Sequence, residues 1–370
     1  MKRSSDEPIR VLVVEDSRAQ RELLVGMLNA SSTFVVVGTA SNGKEAIAAA
    51  QQLRPNVIAM DIHLPILDGY EATRQIMQQC PTPIVLISSQ DDAVLAVGGL
   101  AAGALAVVAK PRGRIGSAVA PEQDDDRTAF LTTLRLMANV QVVTRYPVRS
   151  PTIDRRPPTT GQLETLVVGH RLPVVVPQVL VIAASTGGPA AVQLVLRGLG
   201  AGFPLPVLVV QHIARGFVTG LAEWLNTTVP LTVQVAYQGE QLRAGRVYLA
   251  PEGHHLTVRT PGFASLRPLA TDDRFCPSAD LLFETAAQAY GASAIGVVLT
   301  GMGDDGTRGL LTLRAAGALT LAQDAASCVV YGMPRAAVEA GAIVRSESLA
   351  AIARTILGLV GNVVRDVGAL

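Results

Sequence analysis

Short runs of Val, Ile, Leu and Ala alternate along this chain with longer segments whose apolar residues recur at helical spacing. A strand that is apolar on both faces must be covered on both faces, which an antiparallel sheet with one wet side does not do. Strand–helix–strand alternation supplies that cover through right-handed crossovers and a parallel sheet. The first series has strands expected at Arg10–Val14, Val35–Ala40, Val57–Met60, Ile84–Ser88 and Ala106–Ala109. Amphipathic segments such as Ala19–Leu28 and Gly43–Leu53 lie between them, and a last helix is expected at Thr128–Ala138, after an acidic insert from Gly113 to Arg127. From Thr144 to Pro177 six prolines break every period, which predicts an extended linker. A second series then begins, with strands expected at Val179–Ala184, Val207–Gln211, Val247–Ala250, His255–Val258 and Ile295–Thr300. The reading is therefore α/β, with two doubly wound parallel-sheet domains at 9–140 and 178–365.

Composition removes several function classes. The 370 residues carry a formal net charge of +1, so nothing in the charge balance favours nucleic acid or an anionic surface. No apolar run approaches the roughly 20 residues of a membrane span, and Pro177 interrupts the stretch near Val174. Met1-Lys2-Arg3 is not followed by an apolar export core, and Cys80, Cys276 and Cys328 are too scattered for a disulfide framework or a zinc cluster. The expectation is a cytoplasmic chain that inserts in no membrane.

In the first series, Glu15 and Asp16 follow the first strand and Asp61 the third, while Ser88 ends the fourth and Lys110-Pro111 follows the fifth. The carboxyl ends of doubly wound strands form the ligand crevice, so these residues should converge. Clustered carboxylates suit Mg²⁺, and a carboxylate can also act as a nucleophile toward phosphorus. Lys110 would neutralise the transferring group and Ser88 would hydrogen-bond its oxygens. The motifs VLVVEDS, MDIHLPILDG and LISS and the Lys110-Pro111 pair, in this order, resemble the receiver domain of two-component response regulators. The resemblance implies a flavodoxin-like fold, Asp61 as phospho-acceptor and a histidine kinase of the CheA type as phosphoryl donor. One departure is Val107, which stands where receivers usually carry an aromatic side chain that rotates on phosphorylation.

In the second series, VLVIAAS ends at Ser185 and is followed by Thr186-Gly187-Gly188-Pro189 and an apolar helix. Glycines permit a sharp strand-to-helix turn, and Pro suits the first helical turn. Such a turn serves either an activated serine or a bound phosphate. His212, at the end of PVLVVQH, favours the serine, and IGVVLTGMGDDG adds Asp304 and Asp305 after another strand. Serine, histidine and aspartate on separate strand ends permit proton transfer from Ser185 to His212, with an aspartate fixing the imidazole. Spacing leaves Asp304 and Asp305 equivalent. The chain lacks the Gly-x-Ser-x-Gly turn and the Ser–Asp–His order of the common α/β-hydrolases.

IAASTGGP, VVQHIARGF, YLAPEGHHL, VLTGMGDDG and SCVVYGMPRAA together resemble the catalytic domain of the chemotaxis protein-glutamate methylesterase (CheB) family. The resemblance implies a Rossmann-like serine hydrolase that releases methanol from glutamate γ-methyl esters on methyl-accepting chemoreceptors, without a cofactor of its own; some members also deamidate receptor glutamines. It assigns the nucleophile to Ser185, the base to His212 and the aspartate to Asp305, with Thr186 and the Met302 backbone N–H beside substrate or oxyanion. It makes His255 structural or site-lining. It further implies that the unphosphorylated receiver packs across the hydrolase site and that a phosphoryl group on Asp61 relieves this. Departures stand at Ala183, at Ala214-Arg215-Gly216-Phe217, and at Phe275-Cys276, where many members have His-Arg. A catalytically idle adaptor is the alternative; a DNA-binding regulator would need a basic recognition helix that the sequence lacks.

Overall fold

The computed structural model of the protein describes residues 7–89, 92–111, 121–140 and 176–367. The first lobe is a five-stranded parallel sheet in the order β2-β1-β3-β4-β5. Its strands are β1 (Ile9–Val14), β2 (Phe34–Ala40), β3 (Val57–Asp61), β4 (Ile84–Ser88) and β5 (Ala106–Ala109). The helices α1 (Arg18–Asn29), α2 (Gly43–Leu53), α3 (Gly69–Gln79), α4 (Ala93–Ala101) and α5 (Pro121–Met137) connect or follow them. Strands β3 and β4 are buried along their whole length, as apolar runs covered on both faces must be. Three of the helices open on a side-chain cap, with Ser17, Asn42 and Asp68 each accepting from a backbone N–H of the first turn. Helix α5 starts at Pro121, inside the stretch expected to be an insert; proline at the first helical position favours that start. All of the expected linker except residues 176–177 lies outside the described residues.

The second lobe is a seven-stranded parallel sheet in the order β14-β13-β12-β6-β7-β9-β8. It comprises β6 (Val179–Ala184), β7 (Val207–Gln211), β8 (Thr232–Val235), β9 (Arg246–Leu249), β12 (Ala294–Val298), β13 (Leu319–Gln323) and β14 (Arg345–Glu347). The expected strand at His255–Val258 is not part of this sheet. It belongs to β10 (His254–Thr260), which pairs antiparallel with β11 (Phe263–Pro268). Helices α6 (Gly188–Leu199), α7 (Val218–Thr228) and α11 (Leu349–Val367) cover one face; α8 (Ala279–Tyr290), α9 (Thr307–Ala315) and α10 (Met333–Glu339) cover the other. Among the described residues no helix is long and apolar enough to cross a membrane.

The chain order reverses in each sheet at one pair of strands. Connections run outward from β1 through β2 on one side and from β3 on the other; in the second sheet β6 leads to β7 while β12 lies on its opposite side. Such switch points leave a crevice at the carboxyl ends; Glu15, Asp16, Asp61, Ser185 and Asp305 flank the two switch points, and Ser88, Lys110 and His212 lie on the same edges one or two strands away.

The lobes share apolar surface. Val97 of α4 is buried with the core cluster of the second lobe that includes Trp224, and Phe217 at the start of α7 is buried with the core of the first. Helices α4 and α7 approach so closely that a Cβ at Gly220 would lie 2.5 Å from the Ala93 Cβ. Leucine is a better helix former than glycine, so Gly220→Leu should strengthen α7 itself while costing the interface about 1–3 kcal/mol by overpacking. The expected outcome is a larger radius of gyration by small-angle X-ray scattering with an unchanged circular dichroism spectrum. An unaltered radius would show that the α4–α7 contact does not hold the lobes together.

Candidate functional site

At the first switch point, Glu15, Asp16 and Asp61 each bring a carboxylate oxygen within 4.8 Å of the others. Lys110 Nζ lies 2.8 Å from Asp61 Oδ2 and 3.0 Å from Glu15 Oε2. Asp61 also accepts from the Ile62 N–H at 2.8 Å. Glu15 and Asp61 are buried while Asp16 is exposed, so the cluster opens to water on one side. Burial first, and then the charge of Asp61, push the Glu15 carboxyl up to about 7 despite the lysine. Burial alone would lower the Lys110 ammonium, but its bonds to the two carboxylates hold it above the ordinary lysine value. One ammonium thus pairs with two of the three carboxylates, and Glu15 Oε2 has no well-aligned hydrogen bond. An all-oxygen, charge-deficient cluster of this kind fits a hard divalent cation such as Mg²⁺. Ser88 is buried at the end of β4 and turns its hydroxyl to the Ser89 carbonyl.

At the second switch point, Ser185, His212 and Asp305 follow three neighbouring strands, with β6 between β7 and β12. Pairing continues past the strand ends. The Ser185 N–H donates to Thr300 O at 3.0 Å and the His212 N–H to Ala184 O at 2.9 Å, which fixes the level of each residue above the sheet. The Gln211 amide then donates to both the Ser185 and His212 carbonyls, at 2.8 and 2.9 Å. A glutamine ending an apolar strand carries no motif of its own, so nothing in the sequence singles it out. Gly301 sits against the serine: a Cβ there would fall 2.7 Å from the Ser185 Cβ and 2.4 Å from the Met333 sulfur. The turn itself closes through the Gly188 N–H to Ser185 O at 2.8 Å. With Ser185 and Gly188 so engaged, Thr186 and Gly187 hold the remaining N–H groups of the turn, at the head of α6.

His212 Nε2 donates to Asp305 Oδ2 at 2.9 Å. Asp305 is buried and accepts as well from Ser278 Oγ and from the N–H groups of Ala279 and Asp280, at 3.1, 2.7 and 3.1 Å. The carboxylate therefore caps α8, where the helix dipole favours an anion. Burial taken alone would raise its pKa; the bonds from His212, Ala279 and Asp280 outweigh this and hold it below the usual carboxylate range. Asp304, one residue earlier, is exposed and pairs with Arg274. Geometry thus separates the two aspartates that spacing could not.

Phe275 stacks on the imidazole of His212, with ring centroids 5.5 Å apart and planes 10° from parallel. The Arg274 guanidinium lies over the Phe275 ring as well, 4.9 Å from its centroid. The sequence marked this position only as a departure from the family pattern. His255 is fully buried, receives the Ser278 N–H on Nδ1 and donates from Nε2 to Asp273, at 3.1 and 2.8 Å. Both ring nitrogens are thereby used in pinning the 273–278 segment, which leaves His255 a structural part of the site.

The first lobe stands over these groups. Met302 and Val329 pack against its α5-side core, and Ile213 and Ala214 against its other core. Between the lobes is a cavity of about 940 Å³ lined by Ser185, Thr186 and His212 below and by residues of β5 and α5, Val107 among them, above.

Against known proteins, residues 180–356 match the family model described as CheB methylesterase, and residues 11–119 match the response regulator receiver domain. The chain is 46% identical over 337 residues to protein-glutamate methylesterase/protein-glutamine glutaminase 4 of Myxococcus xanthus, covering 90% of this chain and 92% of that relative. It is 38% identical over 358 residues to protein-glutamate methylesterase/protein-glutamine glutaminase 1 of Syntrophus aciditrophicus, covering 96% and 99%. Among solved structures, the CheB methylesterase catalytic domain of Thermotoga maritima is similar, with 35% identity, a TM-score of 0.48 and coverage of 50% of this chain and 100% of that one.

The lowered Asp305 pKa carries a sign. An unfolded aspartate titrates near 3.9, so the ionised carboxylate stabilises the fold above that pH and ceases to do so as pH falls through the lower folded value. Asp305→Asn should lose about 1–3 kcal/mol at neutral pH and show a flatter loss of stability below about pH 4. Urea unfolding followed by Trp224, the single tryptophan and a residue of the second lobe, reads the difference. Parallel stability curves for variant and parent would contradict the assignment.

Proposed function

The chain belongs to the CheB methylesterase family, and from that premise we propose that it hydrolyses glutamate γ-methyl esters on methyl-accepting chemoreceptors under control of its receiver. The observation that carries the reading is the His212–Asp305 hydrogen bond at the sheet edge where Ser185 leaves the adjacent strand. Residues 178–365 form the catalytic unit, residues 9–140 the regulatory one, and residues 144–177 the linker between them.

Ser185 Oγ attacks the ester carbonyl. With Nε2 engaged by Asp305, Nδ1 of His212 is the nitrogen that accepts the serine proton, and Asp305 stabilises the resulting imidazolium. The backbone N–H groups of Thr186 and Met302 receive the developing oxyanion. The departing methoxide takes the proton from His212 and leaves as methanol. Water, activated by the same histidine, then releases the glutamate side chain from Ser185. A receptor glutamine can follow the same course with ammonia as the leaving group, which accounts for the double name of the relatives. Phe275 acts through His212 as a positioning residue, holding the ring plane that Asp305 alone leaves free to tilt.

In the receiver, Asp61 accepts a phosphoryl group from a histidine kinase. Glu15, Asp16 and Asp61 would hold Mg²⁺, which supplies positive charge beside the phosphoryl oxygens. Lys110 pairs with those oxygens and the Ser88 hydroxyl donates to them once it turns from Ser89 O. A dianionic group in this pocket changes the balance of contacts that keeps the receiver docked.

Methanol release from methylated receptor membranes, with and without a small phosphodonor, tests both halves. Asp61→Asn should retain basal release and lose all stimulation; full stimulation would refute the regulatory reading. Ser185→Ala should lower release by about 10⁴-fold or more, and retained turnover would refute the triad. Phe275→Leu should lower kcat roughly tenfold with KM unchanged, and Phe275→Tyr should recover most of it; a fall in receptor affinity instead would make Phe275 a substrate contact.

A further inference from the structure

Docking of the receiver leaves the hydrolase groups wet. The His212 side chain keeps 18% of its surface exposed beneath the receiver, and Ser185 is half-buried rather than sealed. Among the described residues, what stands above them is space: the cavity of about 940 Å³, floored by Ser185 and His212 and roofed by Leu105 and Val107 of the β5 region and by Thr132 and Leu136 of α5. Small-molecule sites span roughly 300–1,000 Å³ and combine an apolar wall with a few convergent polar groups, as this cavity does. A receptor ester has different needs. It is carried on a helix about 10–12 Å across with its side chains, and that cylinder must lie where the receiver already packs on Met302 and Ile213. The docked state therefore excludes one kind of ester by bulk and has room for another.

We propose that the docked, unphosphorylated chain hydrolyses small carboxylic esters with short apolar acyl groups, and that the receiver sorts substrates by size instead of silencing the catalytic groups. This rests on the Ser185–His212–Asp305 reading. The Ser185 Oγ–acyl carbon bond forms as the serine proton passes to His212. The acyl–alkoxy bond then breaks, and the alcohol leaves with that proton. Water next cleaves the acyl-serine, yielding the carboxylic acid and restoring the serine hydroxyl. No other reactant is needed.

The test measures p-nitrophenyl butyrate turnover and receptor methanol release side by side in the full chain. With phosphodonor, methanol release should rise about tenfold or more while butyrate turnover changes less than about twofold. Thr132 is exposed and lines the cavity, so Thr132→Trp fills the space without disturbing a core. That variant should lower butyrate kcat/KM about tenfold in the unphosphorylated chain, recover on phosphorylation, and leave phosphodonor-stimulated methanol release unaltered. Ser185→Ala should abolish both reactions. Absent butyrate turnover, turnover that rises in step with methanol release, or turnover that survives in Ser185→Ala while methanol release is lost would each overturn the proposal. Methanol release that survives Ser185→Ala would instead overturn the triad on which it stands.

Discussion

The buried carboxylate of Asp305 is the point on which the second lobe's chemistry is assembled. It takes hydrogen bonds from His212, from the Ser278 hydroxyl and from two backbone N–H groups at the head of α8. A buried anion with so many donors is inexpensive to keep ionised and costly to remove, since each donor would be left without a partner. It also ties together three pieces distant in sequence: the end of β7, the turn after β12 and the start of α8. His255 extends the tie by fastening the Asp273 end of the segment that carries Phe275. The imidazole is thus set by a bond at its edge and a ring on its face, both referred to the same helix terminus.

Sheet pairing supplies the other half of the precision. Because Ser185 and His212 continue the hydrogen-bond ladder of β6 with its two neighbours, their heights above the sheet are fixed by backbone register. Gln211 then bridges the two carbonyls, so the nucleophile turn cannot shift without carrying the histidine with it. Sites built this way tolerate a changing roof, which is what a docking regulatory lobe requires.

Much of this was legible in the sequence, for identifiable reasons. Strands apolar on both faces, such as β4, β5, β6 and β7, appear at the residues where Ile84–Ser88, Ala106–Ala109, Val179–Ala184 and Val207–Gln211 predict them. Short or edge strands were not legible: β8 and β14 are partly exposed and lack a continuous apolar run. At the sites, residues following strands could be listed, because the carboxyl edge gathers them. The choice of Asp305 over Asp304 depends on which side chain faces α8, a tertiary fact. Phe275 lies in an irregular segment after the hairpin, where neither helical nor strand period says which ring it will meet. Gly220 reads in sequence as a weak point of a helix; only the approach of α4 gives it a purpose.

The replacement of the expected aromatic by Val107 bears on how the lobes communicate. A valine buried in β5 has no ring to swing between inside and outside, so a rotating side chain on β5 cannot carry the signal here. A shorter route exists along the chain. Ser88 closes β4, Ser89 binds the Asp92 carboxylate, and Asp92 also pairs with His63, which lies in the loop beside Asp61. Asp92 immediately precedes Ala93, the residue of α4 against which Gly220 packs. On the proposed reading, recruitment of Ser88 to a phosphoryl group would break its bond to the Ser89 carbonyl and disturb the anchorage of Asp92. That end of α4 meets α7 at Gly220, where the helices approach too closely for a side chain. The chain of contacts from Ser88 through Asp92 to the α4–α7 approach therefore links the phospho-acceptor pocket to the interlobe surface without an aromatic on β5.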